Sequence, residues 1–242
     1  LSIRRQRQMC IRDRRHADSL TCHACITLEG MDLHVLHHPL VDHKLTVLRD
    51  KNTPSNIFRE LVSELVTLEA YEATRNLEVS DREIETPICK MTGKHLNRPR
   101  PMVVPVLRAG LGMLDGMTRL LPTAEVGFLG MKRDEQTLDI VTYANRLPED
   151  LTGRQCFLLD PMLATGGTLI AATHYLAERG AKDVTAINIL AAPEGLERLE
   201  KELDPSIDFK VVVCAVDEHL NDKAYIVPGL GDAGDRLYGL ID

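Results

Sequence analysis

Continuous apolar runs alternate with helical stretches along most of the chain, and this alternation sets the predicted fold. Runs of this kind are typical of strands buried on both faces of a parallel sheet. They occur at 101–107, 125–131, 156–159, 184–190 and 209–216. Because helical segments separate most of them, the pattern predicts an α/β fold with a mostly parallel central sheet flanked by helices.

One predicted helix lies upstream of these runs. Thr53 followed by Pro54 is typical of a helix start, with a capping hydroxyl before a proline at the first helical position. Apolar residues then recur at helical spacing as far as about Leu77. A face this apolar packs on the core or on a second subunit. Two short strands are predicted at 83–88 and 92–97, around a turn at Gly93.

The stretch at 155–170 places an apolar run, one acid, a small-residue loop and a helix start in immediate succession. It predicts a buried strand that ends at Asp160. The loop from Thr165 to Thr168 is expected to surround an anion with backbone N–H groups and hydroxyls at the positive end of the next helix. A carboxylate beside such a loop favours a ligand with both hydroxyls and phosphate. The helix is expected to reach Arg179 and to stop before Gly180.

Arg108 lies in a second strand, loop and helix start. It follows the run at 101–107 directly and is succeeded by Gly110 and Gly112. A cation and glycines are suited to a loop where the backbone approaches a ligand closely. In parallel sheets, ligands bind at the carboxyl ends of the strands, where both Arg108 and Asp160 fall.

A charged stretch at 132–148 follows the run at 125–131 and shows no apolar period. It predicts a long loop or an extended hairpin. Loops of this length in a compact domain are commonly lids over phosphate sites, and a solvated hairpin is the alternative.

The tail at 225–236 contains three glycines and one proline within seven positions, which argues against a helix. It is too apolar for a simple linker and exposes backbone donors and acceptors at close range. A flat heterocycle with amide edges would suit such a surface, and a tight structural turn is the alternative.

The negative charge of the chain argues against general nucleic-acid binding. The formal net charge is −7, and residues 31–242 carry 23 Lys and Arg against 33 Asp and Glu, a balance of −10. A basic face is expected of nucleic-acid-binding proteins. No apolar run is long enough to span a bilayer, and no apolar segment follows the basic residues 1–15, so neither a membrane protein nor a secreted one is expected. We interpret residues 1–30, with six Arg, as a disordered or non-native extension.

Metal binding by protein side chains alone is not favoured. Cys22 and Cys25 form a Cys-x-x-Cys without a second pair, and Pro39 breaks the helical spacing within a His-rich segment at 34–43. The cysteines in apolar runs are typical of reduced, buried thiols in a cytoplasmic protein.

Four motifs together resemble the uracil phosphoribosyltransferases, which use 5-phosphoribosyl 1-diphosphate (PRPP). They are Val-Leu-Arg-Ala-Gly-Leu-Gly-Met at 106–113, Arg133 with Asp-Glu-Gln-Thr-Leu after it, Leu-Asp-Pro-Met-Leu-Ala-Thr-Gly-Gly-Thr at 159–168, and Pro-Gly-Leu-Gly-Asp-Ala-Gly-Asp at 228–235. The resemblance covers about residues 34–242 and implies one domain over 31–242 with the type I phosphoribosyltransferase fold, a lid and a C-terminal base-binding segment.

The resemblance also implies a role for each motif in the transfer of a phosphoribosyl group from PRPP to uracil, which gives UMP and pyrophosphate. Arg108 and Arg133 would meet the pyrophosphate and stabilise its developing charge, and Asp160 would orient the ribose hydroxyls. Mg²⁺ would be held mainly by PRPP oxygens. The residues implied to bind PRPP are Arg108, Arg133, Asp160, Pro161, Met162, Leu163, Ala164, Thr165, Gly166, Gly167, Thr168 and Asp232. Those implied to bind uracil, largely through the main chain, are Ile226, Gly231, Asp232 and Ala233.

Pro161 departs from the wider superfamily, in which a second acid follows the first, and agrees with the uracil branch. A mechanism with two carboxylates at this strand end is therefore not expected, and Asp232 would supply part of the missing charge. No general base for N1 of uracil is identified by the sequence.

Two alternative functions would require sequence features of their own. A regulator with the same fold, binding PRPP or nucleotides and RNA, would require a basic face on the folded body. A dinucleotide-binding or kinase-type protein would require glycine motifs that the chain lacks. The family and the apolar helix suggest a homodimer or a larger homo-oligomer. Bacterial members are often activated by GTP, although no residue here requires it.

Overall fold

The computed structural model describes residues 25–28, 31–133 and 140–239. Its elements, in chain order, are β1 (Cys25–Leu28), β2 (Met31–Val35), α1 (Pro39–Arg49), α2 (Ser55–Ala73), β3 (Val79–Glu85), β4 (Lys90–Leu96), β5 (Met102–Leu107), a 3₁₀ helix (Ala109–Met113), α3 (Leu114–Leu120), β6 (Glu125–Val126), β7 (Phe128–Arg133), β8 (Ile140–Arg146), β9 (Gln155–Leu159), β10 (Met162–Leu163), α4 (Gly167–Ala177), β11 (Asp183–Ala191), α5 (Pro193–Glu202), β12 (Asp208–Val216), β13 (His219–Leu220), β14 (Ile226–Val227) and α6 (Ala233–Tyr238).

The central sheet has the strand order β1-β2-β12-β11-β9-β5-β7-β8. The pairs from β2 to β7 are parallel, and the two outer pairs, β1 with β2 and β7 with β8, are antiparallel. The predicted α/β fold with a mostly parallel sheet is therefore confirmed. Since the carboxyl ends of parallel strands share one edge, β5 and β9 deliver their following loops to the same side of the molecule.

Alternate side chains of each central strand pack into different layers. In β9, Phe157 and Leu159 join the cluster formed with α1, α2, α3 and α6, whereas Cys156 and Leu158 join the cluster formed with α4 and α5. All four side chains are fully buried. This burial on both faces explains why the strands read as continuous apolar runs. The apolar face of α2, including Phe58 and Leu65, packs on the core rather than on a second subunit.

Several predicted boundaries need correction. Helix α2 begins at Ser55, and Thr53 is not its capping residue, because the Thr53 hydroxyl donates to the carbonyl of Val47 at 2.6 Å. Gly93 is not a turn: it lies inside β4 opposite Arg82, and the chain reverses between β3 and β4. The tail is helical from Ala233, because the Asp232 carboxylate accepts a hydrogen bond from the backbone N–H of Asp235 and starts α6.

Other sequence-based expectations lie at the limits of the described residues. Most of the extension predicted at 1–30 falls outside them, although Cys25–Leu28 within it forms β1. The charged stretch at 132–148 contributes β8, which pairs with β7 as a hairpin, and its centre at 134–139 also lies outside. Within the described part of the chain, no helix is both long and apolar enough to cross a membrane.

Candidate functional site

A cavity of about 610 Å³ opens at the carboxyl end of β9. One wall is the loop from Asp160 to Gly166 with the first turn of α4, and the facing wall is the tail from Lys223 to Ala233. The predicted phosphate loop and the predicted base segment, more than fifty residues apart in sequence, thus share one space. The previously predicted residues on its walls are Asp160, Met162, Leu163, Ala164, Thr165, Gly166, Thr168, Ile226, Gly231, Asp232 and Ala233.

Pro161 and Gly167 belong to the same loop but are buried behind its surface. The Pro161 carbonyl accepts hydrogen bonds from the backbone N–H groups of Ile189 and Leu190, at 3.0 and 3.1 Å. Gly167 is the first residue of α4. These two residues shape the loop from behind rather than forming its surface.

Asp160 follows the last residue of β9 and is tied by three hydrogen bonds. Its backbone N–H donates to the carbonyl of Ile187 at 3.3 Å, and its carbonyl accepts from the side-chain amide of Asn188 at 2.5 Å. Its carboxylate accepts from the backbone N–H of Met162 at 3.5 Å. Burial raises the pKa of Asp160 to about 7, and the Met162 hydrogen bond opposes that shift only in part.

The phosphate loop turns sharply at Gly166, whose φ of +78° favours glycine. A Cβ atom there would also lie 2.9 Å from the carbonyl oxygen of Gly195, at the start of α5. Helix α4 starts immediately after this turn, and the first N–H groups of a helix have no partner within the helix. The loop therefore presents the positive end of α4 to the cavity, which is a typical arrangement for binding a phosphate.

Arg108 follows β5, and its side chain is exposed. The Arg108 carbonyl accepts a hydrogen bond from the Tyr238 hydroxyl at 2.9 Å. Gly110 packs so closely that an added Cβ atom would lie 2.1 Å from the carbonyl oxygen of Leu159, the residue before Asp160. This contact explains the glycine and holds the Arg108 loop beside the end of β9. Arg133 is the last residue of β7, and its side chain lies outside the described part of the structure.

The tail is fixed to the body by two arginines. Arg49 donates to both carboxylate oxygens of the buried Asp217, at 2.7 and 2.6 Å, and to the carbonyl of Gly229 at 2.9 Å. Asp217 in turn accepts from the backbone N–H of Gly229 at 2.8 Å. Arg236 donates to the carbonyls of Leu48, Leu230 and Asp50 at 2.6 to 3.0 Å. These bonds hold the glycine-rich segment against the end of α1.

Sequence reasoning missed Lys223 and Ala224, which line the cavity beside Tyr225. They sit in a tight turn in which the Asn221 side chain accepts from the backbone N–H groups of Lys223 and Tyr225, each at 3.0 Å. Ala224 adopts a left-handed φ of 61°. The Asn-Asp pair at 221–222 is a turn signal that could have indicated this loop.

Comparisons with known proteins point to one family. The family model for "Uracil phosphoribosyltransferase" matches residues 35–240. A uracil phosphoribosyltransferase of Bifidobacterium longum subsp. infantis is 81% identical over 88% of this chain and 100% of its own length. One from Beutenbergia cavernae is 67% identical over 87% and 100%. The solved structure of the AQ2163 protein from Aquifex aeolicus is 42% identical, covers 86% of this chain and 98% of its own, and superposes with a TM-score of 0.80.

Proposed function

The chain belongs to the uracil phosphoribosyltransferase family, and from this membership we propose how its residues convert uracil and PRPP into UMP and pyrophosphate. The observation that carries the proposal is the single cavity shared by the phosphate loop and the glycine-rich tail. PRPP carries a phosphate and a ribose, which suit the wall formed by the phosphate loop. Uracil carries two amide-like edges, which suit the backbone groups of the tail.

The phosphate loop would bind the ribose 5-phosphate part of PRPP. Backbone N–H groups at the start of α4, with the hydroxyls of Thr165 and Thr168, would surround the 5-phosphate. Asp160, at the inner end of the loop, would accept hydrogen bonds from the ribose hydroxyls in its ionised form. The loop supports this assignment because Asp160 and the first turn of α4 line the same cavity.

Charge develops on the pyrophosphate as it leaves, and Arg108 and Arg133 would stabilise it. Bound Mg²⁺ would neutralise part of the same charge. The donor set fits a metal held mainly by PRPP oxygens, because Asp160 and Asp232 offer separate carboxylates on the two walls of the cavity. The protein's own contribution is then the two guanidinium groups and the orientation of the ribose.

The tail would recognise uracil through its main chain at Ile226 and at 231–233. Uracil presents acceptors at two carbonyls and a donor at N3, whereas cytosine reverses part of that edge. Fixed backbone groups would leave cytosine with buried unpaired partners, which is costly. The hydrogen bonds from Arg49 and Arg236 support this proposal because they fix the segment in place.

Among the described residues that line the cavity, Asp232 is the acidic side chain on the wall proposed to bind uracil. Asp232 lines the cavity, but its Oδ1 already accepts from the backbone N–H of Asp235. Backbone donors around the base would stabilise the uracil anion without a dedicated base.

The direct test of this function is pyrophosphate release from PRPP by the purified protein, with uracil, cytosine, orotate and hypoxanthine offered in parallel. Release is expected with uracil and at least about 100-fold more slowly with the other bases, because a hydrogen-bonding site rejects ligands that leave its groups unpaired. Comparable turnover of cytosine and uracil would contradict main-chain recognition. Release with orotate or hypoxanthine alone would contradict the proposed substrate.

Two properties of the enzyme are also part of the proposal. GTP activation is tested by adding GTP to the same assay at subsaturating PRPP. A cytoplasmic location is supported by Cys89, Cys156 and Cys214, which are free thiols.

We propose a homodimer in which the hairpin of β3 and β4 contacts the partner. The two strands form a sheet of their own, separate from the central sheet, and a lone two-stranded hairpin is marginally stable in water. Its exposed apolar side chains include Ile88 at its tip, 92% exposed, and Met91, 45% exposed. A second copy of the chain is the simplest partner for a surface of this kind.

We expect Ile88→Asp to shift the mass measured by light scattering from two chains toward one, because a charge at this contact is costly to desolvate. Leu40→Asp, an equivalent change at an exposed apolar residue of α1, is the control and should leave the mass unchanged. Circular dichroism should show the same helix content in both variants. An Ile88→Asp protein with the wild-type mass would rule out the hairpin as the dimer contact.

A further inference from the structure

Asn188 is a fully buried polar residue near the middle of β11, a strand that is otherwise almost entirely apolar. An amide removed from water is costly unless its hydrogen bonds are replaced. The Asn188 side chain makes one such bond, from its Nδ2 to the carbonyl oxygen of Asp160 at 2.5 Å. A buried amide that contacts the acid at the head of the phosphate loop calls for an explanation.

The explanation lies in the pairing of β9 and β10 with β11. The pairing with β9 ends at Leu159 and Ile187, and pairing resumes only at Met162 and Leu190 of β10 and β11. In this gap the backbone N–H groups of Ile189 and Leu190 both donate to the carbonyl of Pro161, rather than to that of Asp160. The Asn188 amide fills the gap by donating to the carbonyl that precedes the proline.

This bond also determines the direction of the Asp160 side chain. The backbone N–H of Asp160 is held by Ile187 and its carbonyl by Asn188, so both peptide groups that flank its Cα atom are fixed. A residue whose two peptide groups are fixed has fixed backbone dihedral angles, and its Cβ can point in only one direction. The direction of the Asp160 Cα–Cβ bond therefore depends on a residue that lies 28 positions further along the chain, while the backbone N–H of Met162 contacts the carboxylate itself.

We propose that Asn188 is a positioning residue for phosphoribosyl transfer, which acts by holding the Asp160 carbonyl and so aims the Asp160 carboxylate and the loop after it at the ribose 5-phosphate. The inference rests on the proposed function of the cavity. It assigns Asn188 to the PRPP half of the site, because its side chain bonds to Asp160.

The test is steady-state kinetics of Asn188→Leu, which retains the approximate size of the side chain, and of Asn188→Ala, which shortens it. Both substitutions remove the amide donor. We expect both variants to raise the KM for PRPP and to lower kcat, each by about tenfold, because a small misplacement of a positioning group has effects of this order or larger. The KM for uracil should stay within about twofold. The dissociation constant of UMP, which contains the ribose 5-phosphate, should rise while that of pyrophosphate stays constant.

Thr185→Val is the matched control. Thr185 is a second buried polar residue of β11, and its hydroxyl has no hydrogen-bond partner in the described part of the chain. The substitution is nearly isosteric and should leave every kinetic constant at its wild-type value. Wild-type turnover of uracil in the same assay tests the proposed function separately.

Three results would overturn the role of Asn188. The first is wild-type binding of PRPP and UMP in either folded variant. The second is an equal rise in the KM for uracil and PRPP, which would indicate general damage to the site. The third is loss of the folded state in both variants, measured by circular dichroism, which would make Asn188 a residue of stability alone. If only Asn188→Leu fails to fold, Asn188→Ala decides.

Discussion

Replacement of Arg108 by alanine is expected to lower kcat about 100-fold or more while the protein stays folded. The guanidinium is exposed, so its loss removes no buried contact, and the bond from Tyr238 goes to the Arg108 backbone, which alanine retains. The effect should fall on the step in which charge develops on pyrophosphate. The measurement is steady-state formation of UMP at saturating uracil and PRPP, together with a thermal melt of each protein.

Two further variants locate the effect. Arg108→Lys keeps the charge but not the planar guanidinium, and it should recover only part of the loss because a single ammonium cannot bind two oxygens side by side. Arg119→Ala removes an exposed arginine from the last turn of α3, a short distance along the same segment, and should have wild-type kinetics. Wild-type turnover by Arg108→Ala would remove Arg108 from the mechanism.

The second large effect is expected at Asp160. Asp160→Asn should lower kcat/KM for PRPP about 100-fold at pH 8, because an uncharged amide cannot replace a carboxylate that accepts hydrogen bonds from the ribose hydroxyls. Asp222→Asn makes the same change in charge at an exposed residue of the turn beside the cavity, and it should have little effect. Activity of Asp160→Asn near the wild-type level would rule out the proposed role in orienting the ribose.

The same residue predicts a pH dependence with a defined sign. Because burial raises the pKa of Asp160 to about 7, the carboxylate of the free enzyme is protonated below that pH. Wild-type kcat/KM for PRPP should therefore fall by about tenfold for each pH unit below about 7, and this slope should be absent in Asp160→Asn. A wild-type profile that is flat down to pH 5 would contradict the prediction.

As pH rises, the contribution of Asp160 to the free energy of unfolding should fall while its contribution to activity increases. The pKa of Asp160 is higher in the folded chain than in the unfolded chain, so its ionisation costs increasing folding free energy as pH rises from about 4 to about 7. Above pH 7 that cost is complete. Asp160→Asn should therefore raise the melting temperature, and by more at pH 8 than at pH 5. An equal or lower melting temperature at pH 8 would show that this carboxylate carries no such cost.

The buried strands and the loops at their ends could be predicted from sequence, because their signals are local. The run at 156–159, the single acid at Asp160 and the glycines at 166–167 occur in one short stretch. The structure places them as a strand, a strand end and a tight turn before a helix. One prediction from local sequence, the helix cap at Thr53, was wrong. Thr53 has the expected type for a helix cap, but its hydroxyl bonds to the end of α1 instead.

Residues that support the site from a distance could not be predicted. Asn188 reads as an interruption of an apolar strand, and its role depends on a gap in pairing that only the three-dimensional register reveals. Arg49 and Asp217 are 168 positions apart, and nothing near either residue indicates the other. The tail helix was not predicted, because the glycines of the segment argue against a helix. The cap formed by the Asp232 carboxylate is seen only in the structure.

The bonds from Arg49 and Asp217 to Gly229 have a consequence for the energetics of base binding. A glycine-rich segment loses more conformational entropy on becoming ordered than any other kind of chain. Here that loss is incurred when the protein folds, since an ion pair to the buried Asp217 and two main-chain hydrogen bonds at Gly229 fix the segment. If uracil binds this segment as proposed, a ligand with few atoms and little binding free energy to spare would meet a rigid template and would not have to order the chain around it.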